Sequence, residues 1–173
     1  FPEDFIPERR LRRKETVLLP NLFPHKAQSA IIVLSEKHYL KLNEFSEDLL
    51  FDALMLADEF IRRAHEKYKM EYAEIGANYL YPAGSSIVHP HIQVTLSKFP
   101  YTLISLYEEK AKSFFEDKGV NYFEALIEAE KRINERFISE LGQVAFLCPF
   151  APIREDQVDG IVREKTSFLD FGE

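Results

Sequence analysis

Two histidines and a glutamine fall at alternate positions in the segment His89-Pro90-His91-Ile92-Gln93. In an extended segment successive side chains point to opposite faces, so His89, His91 and Gln93 are expected on one face. Three polar side chains on one side of an otherwise apolar strand carry a burial penalty unless they have partners, which favours a site over a core. A neutral imidazole is a nucleophile, and one facing a bound phosphate can attack phosphorus to form a phosphoramidate. Just upstream, Gly84-Ser85-Ser86 offers backbone N–H groups and hydroxyls that can hold an anion beside those rings. The chemistry suggested is two-step transfer of a phosphorus-centred group through a covalent histidine intermediate.

The elements that must position these residues are legible in outline. Residues 16–19 and 30–34 are short apolar runs, separated by Pro20-Asn21-Leu22-Phe23-Pro24, and are expected to be paired strands. From Ser46 the spacing Leu49, Leu50, Ala53, Leu54, Ala57, Phe60, Ile61 and Ala64 predicts a long amphipathic helix. Ser46 is its cap, Glu47 and Asp48 lie in its first turn, and it ends near Tyr68. Residues 72–80 and 88–96 are predicted strands flanking the Gly/Ser turn. Two more helices are expected at 103–117 and 121–134, with Gly119 as a stop and Asn121 as the next cap. Residues 137–161 return to strand-like runs, and Cys148-Pro149-Phe150-Ala151-Pro152 faintly echoes the segment 18–24. The basic run Arg9 to Lys14 reads as a solvated strand edge or a linker. The order predicts an α+β fold, an antiparallel sheet with helices on one face.

Composition narrows the partners. In 173 residues, 22 Lys+Arg stand against 29 Asp+Glu, for a formal charge of −7. A general nucleic-acid or anionic-membrane binder would carry a surplus of Lys and Arg, so any phosphate must be held locally. The single cysteine, Cys148, allows no intrachain disulfide and no four-cysteine zinc site. No apolar run approaches the ~18 residues of a membrane span, and a cytoplasmic setting is the default expectation.

The run from Asn78 to Gln93 resembles the active-site segment of galactose-1-phosphate uridylyltransferases, a branch of the histidine-triad superfamily. The resemblance implies that His91 is the residue that becomes nucleotidylated and that the backbone carbonyl of His89 orients its ring. It implies that Gln93 binds the phosphoryl oxygens and that Ser86, Gly84 and Asn78 make phosphate and sugar-side contacts. Upstream, Pro20-Asn21-Leu22-Phe23 resembles the nucleoside-binding segment, with Asn21 placed for the ribose and Phe23 for the base. Leu22 stands where the best-known branch has an acidic residue, and Tyr79-Leu80 replaces its lysine-glycine pair. Members of the family commonly bind a structural zinc through a Cys-x-x-Cys pair and two histidines, here His38 and His89. This sequence has no such pair, so weak or absent metal is expected.

A family member carries two histidine-triad repeats. Residues 1–118 are read as the first with its helices, and 119–173 as a connector helix and the start of a partial second. The implied activity is nucleotidyl transfer between nucleoside diphosphate sugars and sugar 1-phosphates, by a homodimer engaging neither nucleic acid nor membrane. The motif leaves three readings open, because the first step is shared: a hexose-1-phosphate uridylyltransferase-like enzyme of galactose metabolism, a nucleotide-sugar phosphorylase or dinucleotide hydrolase, and a non-catalytic nucleotide-binding protein.

Overall fold

The computed structural model describes residues 1–24 and 26–163; His25 and residues 164–173, the end of the second predicted domain, lie outside the described residues. The chain divides into two compact units, Phe1–Tyr101 and Thr102 onward, so the helical stretch of residues 102–118 groups with the second unit.

The first unit is built on an antiparallel sheet. Strands β1 (Leu11–Arg13), β2 (Thr16–Pro20) and β3 (Gln28–Val33) pair in sequence order. After helix α1 (Glu47–Tyr68), strands β4 (Tyr72–Gly76) and β5 (His91–Ser97) complete the order β1-β2-β3-β5-β4. Along β5 the two-residue period is strict: Ile92, Val94 and Leu96 are buried, whereas His91, Gln93, Thr95 and Ser97 face the other way. Helix α1 covers the apolar side. Its buried stripe of Leu49, Ala53, Leu56, Ala57, Phe60, Ile61 and Ala64 meets Leu18, Ala30, Ile32, Ile92, Val94 and Leu96 of the sheet. Ala53, Ala57 and Ala64 bring the helix axis close, and burying each large side chain contributes on the order of 1.5–3 kcal/mol. The Ser46 hydroxyl accepts from the Leu49 N–H at 3.2 Å, and the helix stops at Lys69 in the left-handed conformation. Cap and end agree with the sequence expectation, but Leu50 and Leu54, expected in the stripe, are exposed, and Leu56 is buried in the stripe instead.

The strands around the Gly/Ser turn are shorter than expected, 72–76 and 91–97 rather than 72–80 and 88–96. Between them runs a loop containing a 3-10 turn at Tyr81–Ala83. Pro82 and Pro90 donate no ladder hydrogen bond, and Leu80 has a positive φ, so regular strand pairing begins at His91, with the Pro90 carbonyl alone engaged ahead of it. His91 and Gln93 therefore share a strand face as expected, and His89, which precedes the strand, does not. The basic run is also only partly solvated. It forms the edge strand β1, but Arg13 and Lys14 turn to the buried Asp52 carboxylate of α1 at 2.5 and 3.0 Å.

In the second unit, helices α2 (Thr102–Lys118) and α3 (Tyr122–Ile133) precede a sheet of β6 (Phe137–Leu141), β7 (Val144–Leu147) and β8 (Asp159–Val162). Gly119 takes the left-handed conformation at φ 72°, and the Asn121 side chain accepts from the N–H groups of Phe123 and Glu124. Ile127, Ala145 and Leu147 form a small core. The meander β6-β7-β8 repeats the order and pairing of β1-β2-β3, a tight turn and then a longer connection, which gives the faint sequence echo a structural counterpart. Among the described residues no helix is long and apolar enough to cross a membrane.

Asp52 ties β1 to α1, and the Arg13 guanidinium, then the Lys14 ammonium, hold its carboxyl below the usual 3.8. A carboxyl lowered in the folded state stabilises above its unfolded pKa, and that contribution is lost as pH falls through the folded value. Asp52→Asn is expected to melt at lower temperature than the parent at pH 7, with the difference closing below pH ~3. Thermal melts across pH check this.

Candidate active site

The open face of the sheet, opposite α1, is ordered by register. Val33 pairs with His91; Ile31 with Gln93, which pairs in turn with Gly76; and Ser29 with Thr95, which pairs with Glu74. At the head of this array the His91 Nδ1–H donates to the backbone carbonyl of His89 at 2.8 Å. A carbonyl can only accept, so the proton sits on Nδ1 and the lone pair of a neutral ring sits on Nε2. Nε2 has no partner among the described residues.

His89 is held on its other side. Its Nε2–H donates to the Ser35 carbonyl at 2.8 Å, and its Nδ1 lies 3.1 Å from Nδ1 of His38. The Leu34 N–H donates to the Pro90 carbonyl at 3.1 Å and so extends the β3–β5 ladder past the His91 pair. The segment 33–38 thus fixes His89, and His89 fixes His91. The two motif histidines are partners through backbone and ring rather than neighbours on one face.

The Gly/Ser turn spends part of its hydrogen-bonding capacity on itself. The N–H groups of Gly84 and Ser85 donate to the Tyr81 and Leu80 carbonyls, and the Ser85 hydroxyl to the Ile87 carbonyl. Ser86, exposed, keeps both its N–H and its hydroxyl unengaged among the described residues. Gly84, at φ 87°, lies against Asn78: a Cβ there would stand 3.8 Å from the Asn78 amide nitrogen. Asn78 and Gln93 in turn line a small cleft of 160 Å³ together with Glu74, Gly76 and Thr95. Sequence reasoning missed Glu74, Gly76 and Thr95. The signal lies in pairing, Glu74 with Thr95 and Gly76 with Gln93, which exists only once β4 lies beside β5.

The segment expected to bind the nucleoside follows β2 as a turn. Asn21 Oδ1 accepts from the Phe23 N–H at 3.0 Å and its Nδ2 donates to Ser29 at 3.1 Å, so the amide first of all builds the turn. Leu22 and Phe23 are 83% and 78% exposed, so Phe23 closes no pocket here. The open face does present Leu19 and Ile31, cross-strand partners in the same row as Gln93.

His38 and His89 have the spacing of two ligands on one metal, because Zn–N bonds of ~2.05 Å at tetrahedral angles put donors about 3.3 Å apart. A closed structural site needs four donors. Among the described residues no third His, Cys, Asp or Glu joins the pair. The residues present do not by themselves make the family's zinc site.

The antiparallel sheet packed on α1, with His91 and Gln93 on its open face, is the α+β arrangement expected from the sequence. More narrowly, the fold is that of the galactose-1-phosphate uridylyltransferase-like proteins. It matches a GalT-like protein from Arabidopsis thaliana at TM-score 0.70 and 19% identity, over 83% of this chain and 53% of that one. It matches a uridylyltransferase mutant at TM-score 0.72 and 16% identity, over 82% and 52%, and an Arabidopsis thaliana ADP-glucose phosphorylase with bound ADP-glucose at TM-score 0.70 and 19%, over 83% and 52%. An uncharacterized protein from Archaeoglobus fulgidus is 38% identical over 155 residues, 89% of this chain and 46% of the relative. The chain thus spans about half the length of the proteins it matches. No family model matches it.

Leu80, where the resembling family has glycine, sits at φ 63° and ψ 174°. This is a region that only glycine enters freely, and it costs another residue about 1–3 kcal/mol. Its carbonyl accepts from Ala83 and Ser85, so the turn enforces the conformation. Glycine is ordinarily the less stable choice than alanine by about 0.5–1 kcal/mol. Here the order is expected to invert, with Leu80→Gly more stable than Leu80→Ala by about 1 kcal/mol, as read by denaturant unfolding of the two variants.

Proposed function

We propose that this chain carries the nucleophile of a nucleotidyl-transferring enzyme acting on nucleoside diphosphate sugars. The observation that supports this best is the 2.8 Å hydrogen bond that leaves His91 Nε2 with its lone pair directed away from the backbone. Nε2 attacks the α-phosphorus, the bond from phosphorus to the bridging oxygen breaks, and the sugar 1-phosphate leaves with the electron pair. The imidazolium keeps its Nδ1 proton on the His89 carbonyl, which stabilises the positive charge of the intermediate. A phosphate oxygen of a second sugar 1-phosphate then attacks the same phosphorus and Nε2 departs. Inorganic phosphate would consume the same intermediate, in keeping with the phosphorylase among the matched structures.

The remaining groups divide the substrate between them. Gln93 and the N–H and hydroxyl of Ser86 are donors for the non-bridging oxygens, and their effect is largest where negative charge builds at phosphorus. The apolar pair Leu19 and Ile31 offers a flat support for a nucleobase on the β3 side of Gln93, with Asn21 and Phe23 at its end. His38 and His89 together offer half of a zinc shell, so metal bound to this chain is weak, and dialysis against a chelator is expected to remove it. Elemental analysis finding one zinc per chain after such treatment contradicts that.

Removing a nucleophile from a set of residues that act as a unit can cost on the order of 10⁶ in rate. His91→Ala is therefore expected to abolish turnover and acid-labile nucleotidyl label while still binding nucleotide. Gln93→Ala loses one charge-stabilising donor and is expected to slow turnover by about 10²–10³ while still accumulating label. His65, whose Nδ1–H donates to the Met70 carbonyl at the end of α1, lies on the covered side of the sheet, and His65→Ala leaves the label unchanged. Alkaline denaturing quench after incubation with labelled UDP-glucose or ADP-glucose, with an acid-treated aliquot as the control that loses label, reads all three. Label that persists in His91→Ala places the attacking atom elsewhere.

A further inference from the structure

Gly76 interrupts a row of side chains. On β4 and just beyond it, Glu74, Gly76 and Asn78 alternate opposite Thr95 and Gln93 of β5, and the middle residue has no side chain. A Cβ built on Gly76 meets nothing within 4 Å, so the notch is open space rather than a close approach of backbone. The cleft there is walled by a carboxylate, two carboxamides and a hydroxyl, and the side chains of Glu74, Asn78 and Gln93 make no hydrogen bond or ion pair among the described residues. It also lies on the far side of Gln93 from the apolar pair Leu19 and Ile31, across the strand that carries His91. A nucleotide whose base lies on that pair and whose α-phosphorus meets His91 and Gln93 directs its leaving group toward the notch.

We propose that the slot left by Gly76, walled by Glu74, Asn78, Gln93 and Thr95, receives the sugar of the nucleotide sugar, and that Glu74 selects a neutral, hydroxyl-bearing group over further phosphate. This rests on the function proposed above and assigns its specificity. A carboxylate accepts hydrogen bonds from two hydroxyls, and the carboxamides of Asn78 and Gln93 both donate and accept, which suits vicinal hydroxyls of a sugar ring. A phosphate in the same slot would face the Glu74 charge with no cation among the lining residues to offset it. A divalent cation would find one carboxylate and no cluster of three ligating side chains among the described residues.

The test is calorimetric titration of the full chain and its variants with ADP-glucose, UDP-glucose, AMP, UMP and ATP, without and with magnesium. For the parent, a nucleotide sugar is expected to bind at least about tenfold tighter than the matching monophosphate, and tighter than ATP. Gly76→Val fills the slot with a residue suited to a strand and is expected to bring the ratio of sugar nucleotide to monophosphate affinity close to unity. Gly76→Ala should fall between, which keeps the test intact if the valine variant does not fold. Glu74→Gln removes the charge and should raise ATP affinity about fivefold or more relative to ADP-glucose.

Unchanged ratios in the Gly76 and Glu74 variants overturn the assignment of the slot, as does a Glu74 effect seen only with magnesium. If the parent binds monophosphates and gains nothing from the sugar, this inference alone falls. If it binds no nucleotide at all, the proposed function falls with it.

Discussion

One hydrogen bond, from the His91 ring to the carbonyl two residues before it, sets what the open face of the sheet can do. It fixes both the tautomer and the direction of the ring, and it spans a single proline whose closed ring limits how far the two ends can drift apart. That carbonyl stays in place because His89 is itself tethered to Ser35 and His38, and because Leu34 continues the ladder onto Pro90. A loop residue is thereby given nearly the positional definition of a strand residue. Orientation of this kind is what a nucleophile needs, since effective molarity collapses when the attacking atom can wander.

The division of labour within β5 follows from its place in the middle of the sheet. Three of its side chains, Ile92, Val94 and Leu96, are buried with α1, and the alternate ones, His91, Gln93 and Thr95, face the open side. The packed core and the polar array of the open face are therefore encoded on opposite faces of seven consecutive residues. Across the sheet the open face grades from apolar at Leu19 and Ile31, through the amide of Gln93, to the carboxylate of Glu74. The gradient matches the order of a base, a phosphate and a hydroxylated ring along one molecule.

Much of this was legible in the residues. The α1 stripe and its Ser46 cap, the Gly119 stop and the Asn121 cap are local signals, decided by side chains within a turn of one another, and local signals survive the passage to three dimensions. The alternation of His91 and Gln93 was equally plain. The place of His89 was not, because period-two reasoning takes no account of where the ladder begins, and Pro90 delays it. Asn21 was read for its reach toward a ligand, whereas the nearest unsatisfied groups, the Phe23 N–H and the Ser29 hydroxyl, claim it first. Glu74 and Gly76 are ordinary residues for a short strand, and nothing in their spacing acquires meaning until β4 is laid beside β5.

The pairing of β5 on both sides also bears on how this gene can change. Loops such as the stretch between β3 and α1 can gain or lose a residue with small effect on the sheet. An inserted or deleted codon within β5 is different in kind, because it rotates every following side chain to the other face of the sheet. Gln93 would be driven against α1, and Val94 would be turned out beside His91. Length variation among descendants of this sequence should therefore collect in the connections and stop at the two ends of β5, even where the identities of its buried residues drift.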